Sequence, residues 1–244
     1  MDRDDWQFPW GHGWPEIDRA GMVEVDRRMI ATHGIALEKM MENAGRALAI
    51  VAWRRWLARA EAPRVTVLAG SGGNGGGVLV AARRLAAWGA RVDVVLTRPA
   101  KALAPVPAAQ LASLETMGVP VLDTPGDGAD LILDGMVGYS LSGAPKGHLA
   151  DLIVWANGSG MPILALDVPS GFDAATGLIA SPAISATATV TLALPKRGVT
   201  EAAVRWAVGD LYLADISVPP ALYATMACPT MPPHFRGEDI LRIA

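Results

Sequence analysis

Four oxygen-bearing side chains stand where this sequence could do chemistry: Asn74, Asp134, Asp167 and Ser170. They fall in three segments, residues 70–77, 134–144 and 167–173, each of which follows a short apolar run. Open parallel sheets bind ligands beyond the carboxyl ends of their strands, so the three segments are expected to meet on one edge. Asp134 and Asp167 are each the first polar residue after such a run, which places both carboxylates at that rim. For either one alone a helix cap or a loop hydrogen bond is the commoner role. Two of them at one rim, joined by Ser170 and Asn74, read as a site. Oxygen donors without cysteine or histidine beside them suit a hard cation better than zinc. The histidines, His12, His33, His148 and His234, are scattered and show no ligand spacing.

The segment 64–85, RVTVLAGSGGNGGGVLVAARRL, reads as strand, glycine turn and helix, with six glycines between positions 70 and 77. Such a turn brings main chain close to a ligand, and free N–H groups at the helix start favour an anion such as phosphate. Gly70-x-Gly72-x-x-Gly75 also fits the dinucleotide fingerprint. The plainer alternative is a loop that needs glycine only to turn. A nicotinamide-dependent dehydrogenase would carry an acidic residue at the end of its second strand. Here that strand ends Leu96-Thr97-Arg98, and no hydride-transfer partner follows. Arg98 could face a 2′-phosphate, so an NAD(P)-dependent oxidoreductase stands as the third reading.

The elements that must position these groups alternate. Strands are predicted at 65–69, 92–96, 119–122, 131–134, 163–166, 188–194 and 211–218. Helices are predicted at 22–32, 37–59, 78–85, 108–117, 148–157 and 202–206. The order implies an α/β fold with a mostly parallel sheet covered on both faces. Residues 1–18, with Trp6, Trp10 and Trp14, form an arm whose indoles pack on the body or on a second subunit. The domain spans 1–218, and 219–244 is expected to be a loosely packed tail.

At 244 residues, 51% of them hydrophobic and 18% charged, the chain can bury one sizeable core. A net charge of −3 and a pI near 5.8, without a basic block, argue against nucleic-acid and membrane-surface partners. Cys228 is the one cysteine, which rules out an internal disulfide framework and suits the cytoplasm. No apolar run is long enough to span a bilayer, and the acidic, aromatic start is unlike a secretion signal.

The segments MMENAGRALA (40–49), GSGGNGGGVLVAARRL (70–85), DGMVGYSLSGAP (134–145), LDVPSGFDAATG (166–177) and TVTLALPKRG (189–198) occur in that order. Together they resemble the NAD(P)H-hydrate epimerase family, the YjeF N-terminal domain. The resemblance implies a three-layer α/β/α Rossmann-like fold, usually a homodimer. It also implies interconversion of the R and S forms of hydrated NADH or NADPH, in partnership with a separate or fused dehydratase. The chain ends where a fused dehydratase would begin, so the epimerase-like part is expected to act alone.

Carried over by position, potassium ligands would be Asn74, Asp134 and Ser170. Substrate contacts would come from Gly73, Asn74, Gly75, Gly76 and Gly77, from Gly138, Tyr139, Ser140, Leu141, Ser142, Gly143 and Ala144, and from Asp167. The family pattern G-x-G-N-N-G-G-D-G becomes Gly70-Ser-Gly-Gly73-Asn74-Gly-Gly-Gly77-Val78. Gly73 and Gly77 thus replace an asparagine and an aspartate, and glycine has no side chain to bond a ribose or move a proton. Inverting a hydroxyl-bearing carbon needs an acid and a base, or a ring-opening step. Asp167 is the candidate catalytic carboxylate. Lys196 is a second candidate, although a solvated surface charge is the plainer reading of it. The alternative function is a non-catalytic or re-purposed nucleotide-binding module of the same fold, as in an mRNA-decapping enhancer.

Overall fold

Apolar β-branched runs form one sheet, and segments of helical apolar spacing cover it. The computed structural model describes residues 8–226 and 232–244; Trp6 and Cys228 lie outside them. In chain order come helices α1 (Arg19–Ala31) and α2 (Leu37–Ala52), strand β1 (Arg64–Ala69), α3 (Gly73–Ala87), β2 (Arg91–Leu96), α4 (Pro105–Thr116), β3 (Val121–Leu122) and β4 (Leu131–Gly135). Then follow α5 (His148–Gly158), β5 (Ile163–Leu166), a small hairpin of β6 (Phe172–Asp173) and β7 (Leu178–Ile179), β8 (Ala188–Leu192), α6 (Arg205–Val208), β9 (Asp210–Ala214), α7 (Pro220–Thr225) and β10 (Ile240–Arg242).

The main sheet has eight strands in the order β10-β9-β8-β5-β4-β1-β2-β3. All neighbours are parallel except β10 on β9. Strand side chains alternate between the two faces. Val65, Val67, Leu131 and Leu133 pack with α2 and α3 in one core. Leu68 and Ile132 pack with Leu152, Ile153 and Ala156 of α5 in another. Three layers result, as expected.

Several boundaries differ from the sequence expectation for local reasons. The helix predicted at 37–59 keeps its α pattern only to Ala52; Trp53–Leu57 forms a wider turn in which Ala58 N–H donates to the Trp53 carbonyl at 2.9 Å. The helix predicted from 108 starts at Pro105, because proline at the first helical position gives up an N–H that has no partner anyway. Residues 73–77 are not a loop but the first turns of α3, with Gly72 as its N-cap. The strand predicted to 194 stops at Leu192, where Ala193 turns with φ 63.

The tail is not loosely packed. Its strand β10 extends the sheet, and Leu222, Tyr223, Ile240 and Leu241 are buried. The arm packs on the body: Phe8 meets Tyr212 edge-on with ring centroids 5.3 Å apart, and Trp14 meets Phe235 at 4.7 Å. Trp10 stays exposed beneath the Arg242 guanidinium, 5.0 Å from its ring centre.

Candidate active site

β1, β4 and β5 run parallel, so the segments leaving their carboxyl ends converge, as the sequence suggested. Asp134, near the end of β4, is fully buried. Its Oδ1 accepts from Met136 N–H at 3.2 Å and from the Ser170 hydroxyl at 2.6 Å, and its Oδ2 accepts from Ser170 N–H at 2.8 Å. Ser170 Oγ in turn accepts from Val137 N–H at 3.0 Å. The two residues therefore tie the loop after β4 to the loop after β5. Burial pushes the Asp134 carboxyl up to about 6, against hydrogen bonds that pull it down. Among the described residues, no lysine, arginine or histidine forms an ion pair with it.

Asp167 directly follows β5 with φ 69, a left-handed conformation uncommon outside glycine. Its own N–H donates to the Val190 carbonyl at 2.7 Å. Its Oδ2 accepts from Tyr139 N–H at 3.1 Å, and its Oδ1 lies 2.5 Å from Lys196 Nζ. Lys196 is fully buried and also donates to the Leu192 and Leu194 carbonyls at 2.7 and 3.2 Å. The solvated-charge reading of Lys196 is therefore wrong. The chain turns back after β8, and the arm closes over it: Ile17 N–H donates to the Pro195 carbonyl and Arg197 N–H to the Ile17 carbonyl, both at 2.9 Å.

Asn74 sits in the first turn of α3 with its Nδ2 buried and without a hydrogen-bond partner. Gly138 separates it from Asp167. A Cβ on Gly138 would lie 3.0 Å from Asn74 Oδ1 and 3.1 Å from Asp167 Oδ2, so a side chain here would press on both. On one side of this junction is a cavity of about 210 Å³, lined by Asp26, Met40, Met41, Leu166, Asp167 and Lys196 among others. On the other is a cleft of about 500 Å³ reaching Thr97, Arg98, Lys146 and His148. Gly73, Asn74, Gly138 and Ser140 line both.

Of the other residues expected at the site, Gly77 and Tyr139 line the inner cavity, and Leu141, Ser142, Gly143 and Ala144 line the outer cleft. Gly75 and Gly76 line neither. A Cβ on them would meet the Gly70 carbonyl and Met41 Sδ, so their place is close packing. Asp134 and Ser170 are bonded to each other and likewise line neither space. The buried Asp134 carboxylate has no ion-pair partner among the described residues, so it carries a charge that a hard cation could offset, whereas the unpartnered atom of Asn74 is its Nδ2, a donor that suits an acceptor and not a cation. Among the described residues no group of three or more His, Cys, Asp or Glu side chains could hold a metal ion.

Asp26 was missed by the sequence reading. It lines the inner cavity from α1, and the Tyr139 hydroxyl donates to its Oδ2 in a short hydrogen bond. Burial raises its pKa, against the Tyr139 hydrogen bond that lowers it. Burial and the Asp26 charge raise that of Tyr139. A signal was present: Asp26 follows Met22 by four residues and precedes Met29 by three, a carboxylate beside the buried stripe Met22, Val25 and Met29.

Fold and site together define a three-layer α/β protein whose buried polar groups gather at the carboxyl edge of its sheet. More narrowly, the chain belongs to the family described as YjeF-related protein N-terminus, whose model matches residues 37–198. It is 43% identical over 205 residues to an NAD(P)H-hydrate epimerase of Dehalogenimonas lykanthroporepellens, covering 83% of this chain and 82% of that protein. A second NAD(P)H-hydrate epimerase, of Truepera radiovictrix, is 40% identical over 78% of this chain and 84% of its own length. A bifunctional NAD(P)H-hydrate repair enzyme of Moorella thermoacetica is 33% identical over 86% of this chain and 42% of its own length. The crystal structure of the yeast protein YNL200c shares the fold, with a TM-score of 0.80 at 23% identity over 93% of this chain and 99% of that one. No helix of the described residues is long and apolar enough to cross a membrane.

Proposed function

We propose that this protein interconverts the R and S epimers of hydrated NADH and NADPH. The observation that carries the reading is the Asp167–Lys196 pair, buried beside the glycine-started helix in a chain 43% identical to an NAD(P)H-hydrate epimerase. The inner cavity, about 210 Å³ and largely apolar in its lining, suits one hydrated nicotinamide ring. The cleft beyond Gly138 would take the rest of the dinucleotide. There the free N–H groups at the start of α3, with Arg98 and Lys146, favour its phosphates.

The hydrate carries its hydroxyl on a carbon bonded to the ring nitrogen. Loss of the hydroxyl proton forms a carbonyl as the carbon–nitrogen bond breaks, its electron pair staying on nitrogen. Reclosure on the other face reverses these changes and inverts the centre. Asp167 is the carboxylate placed to accept the hydroxyl proton, and Lys196 is its fixed counter-charge. Asn74, Asp134 and Ser170 would hold potassium, whose positive charge would offset the buried Asp134 carboxylate and steady the two loops. A dehydratase consuming one epimer is the matching second activity.

A binding module without turnover is the second reading, favoured by glycine at positions 73 and 77. One experiment separates the two. Purified S and R hydrates are supplied in potassium buffer and, in parallel, in tetramethylammonium buffer, and the epimer ratio is followed by chromatography. Interconversion above background, faster in potassium, is expected. A nucleotide-stabilised protein with no interconversion would leave the binding module.

A further inference from the structure

The inner cavity contains a second proton-handling pair that Asp167 does not account for. The phenol of Tyr139 projects from the loop after β4 and donates to Asp26 of α1, and both side chains line the cavity that Asp167 and Lys196 line from the sheet edge. Tyr139 also bridges the two carboxylates, because its backbone N–H donates to Asp167 Oδ2 at 3.1 Å. Its phenol oxygen is therefore one side-chain length from that carboxylate. Asn74 and Ser140 are the other polar side chains of this lining, and Met22, Leu37, Met40, Met41 and Ile216 supply much of its apolar part. Nothing in the packing of α1 requires a carboxylate there, and an apolar side chain would continue the stripe of Met22, Val25 and Met29.

The R and S hydroxyls of a hydrated ring point to opposite faces. One carboxylate cannot meet both without turning the substrate over. We propose that Tyr139, backed by Asp26, is the second acid–base group of the site, serving the hydroxyl on the face opposite Asp167. The inference rests on the epimerase reading above. In the opening direction the substrate hydroxyl proton passes to the Tyr139 oxygen while the Tyr139 proton passes to the Asp26 carboxylate. The carbon–oxygen bond becomes a carbonyl, the carbon–nitrogen bond breaks with its pair on nitrogen, and nitrogen takes a proton from water. On reclosure nitrogen returns its proton to water, the proton stored on Asp26 passes through water to the Asp167 carboxylate, and Asp167 delivers it to the new alkoxide on the other face, so both carboxylates end as they began. The opposite direction runs through the same states in reverse. Tyr139 touches substrate and is catalytic; Asp26 acts through it and is a positioning and proton-storing residue.

Asp26→Asn and Tyr139→Phe test this in the full chain, with the purified hydrates as substrates. Asparagine still accepts the phenol hydrogen bond but cannot take its proton, so a merely structural role for Asp26 predicts near-normal turnover. Phenylalanine keeps the ring in place and removes only the oxygen. Both variants are expected to lose about 100-fold or more in kcat, the ordinary contribution of general acid–base catalysis, with KM within about threefold. The loss falls on both directions equally, since both use the same path. Wild-type turnover with either variant folded and within about threefold of it in kcat overturns the assignment. Absence of turnover in the wild type removes both the epimerase reading and this one, so the two failures are told apart by the wild-type lane.

Discussion

Replacing Lys196 by methionine would leave the Asp167 carboxylate buried without its counter-charge. The two side chains are 0% and 3% exposed, so solvent screens the pair very little. Removing one partner of such a pair costs about 3–5 kcal/mol, because the remaining charge must be kept out of water alone. The same change strips the Leu192 and Leu194 carbonyls of the Nζ donor. In a domain of this size each kcal/mol corresponds to roughly 2–4 °C, so Lys196→Met should lower Tm by about 6–20 °C. Asp167→Asn is the matching partner change. Asparagine tolerates the left-handed backbone at φ 69 and still accepts from Tyr139 N–H. The double variant has no buried charge to strand and should be more stable than Lys196→Met alone, with a coupling of about 2–3 kcal/mol. Urea unfolding of the four proteins measures the cycle without any need for substrate. A loss below about 1 kcal/mol in Lys196→Met, or additivity within about 0.5 kcal/mol, would refute the buried pair as the strut of this site.

Two further outcomes follow from the same cavity. A Cβ at Gly77 would lie 2.7 Å from Leu166 Cδ2, and Gly77 lies within α3, where the backbone is open to any residue, so the obstacle to Gly77→Asp is crowding and not backbone strain. The substitution should destabilise by about 1–3 kcal/mol and add a third carboxylate to a cavity that already holds Asp26 and Asp167, visible as a lower Tm; an unchanged Tm would show that Leu166 yields freely. Asp26 has a pKa raised above its ordinary 3.8 chiefly by burial, so the unfolded chain releases this proton at lower pH than the folded one. Its contribution to stability is therefore lost as pH rises from the ordinary carboxylate range through the folded pKa, and Asp26→Asn should gain on the wild type over that interval; parallel Tm curves across pH 3–8 (about five pH units) would contradict the shift.

How much of this was legible in the sequence depends on the range of the interaction that fixes each feature. The alternation of apolar runs such as Val65–Ala69 with helical stripes such as Met40, Met41, Ala44 and Leu48 is local, and it gave the layers and the parallel sheet. So was the placing of Asp134 and Asp167 at strand ends, because each is the first polar residue after an apolar run; that both stay buried there was set by their tertiary partners Ser170, Tyr139 and Lys196. The ordered motifs gave the family. The tail escaped this logic. Ile240 and Leu241 are a short apolar pair in a proline-rich stretch, and they become a strand only because β9 offers an unpaired edge.

The two groups closest to the proposed chemistry were decided by tertiary structure alone. Lys196 is a charge, and a charge in a turn after a strand is ordinarily solvated. It is buried here because Asp167 sits 2.5 Å away and residues 15–18 of the arm pass over it, partners separated from it by 29 and about 180 residues in the chain. Asp26 is a polar residue beside an apolar helix stripe, and only the fold brings Tyr139, 113 residues further on, to its carboxylate. Sequence patterning records which side of an element faces the core, since that preference is summed over many neighbouring residues. It cannot record which single buried polar group finds which partner, because that pairing is set by distances between elements that local periodicity does not encode.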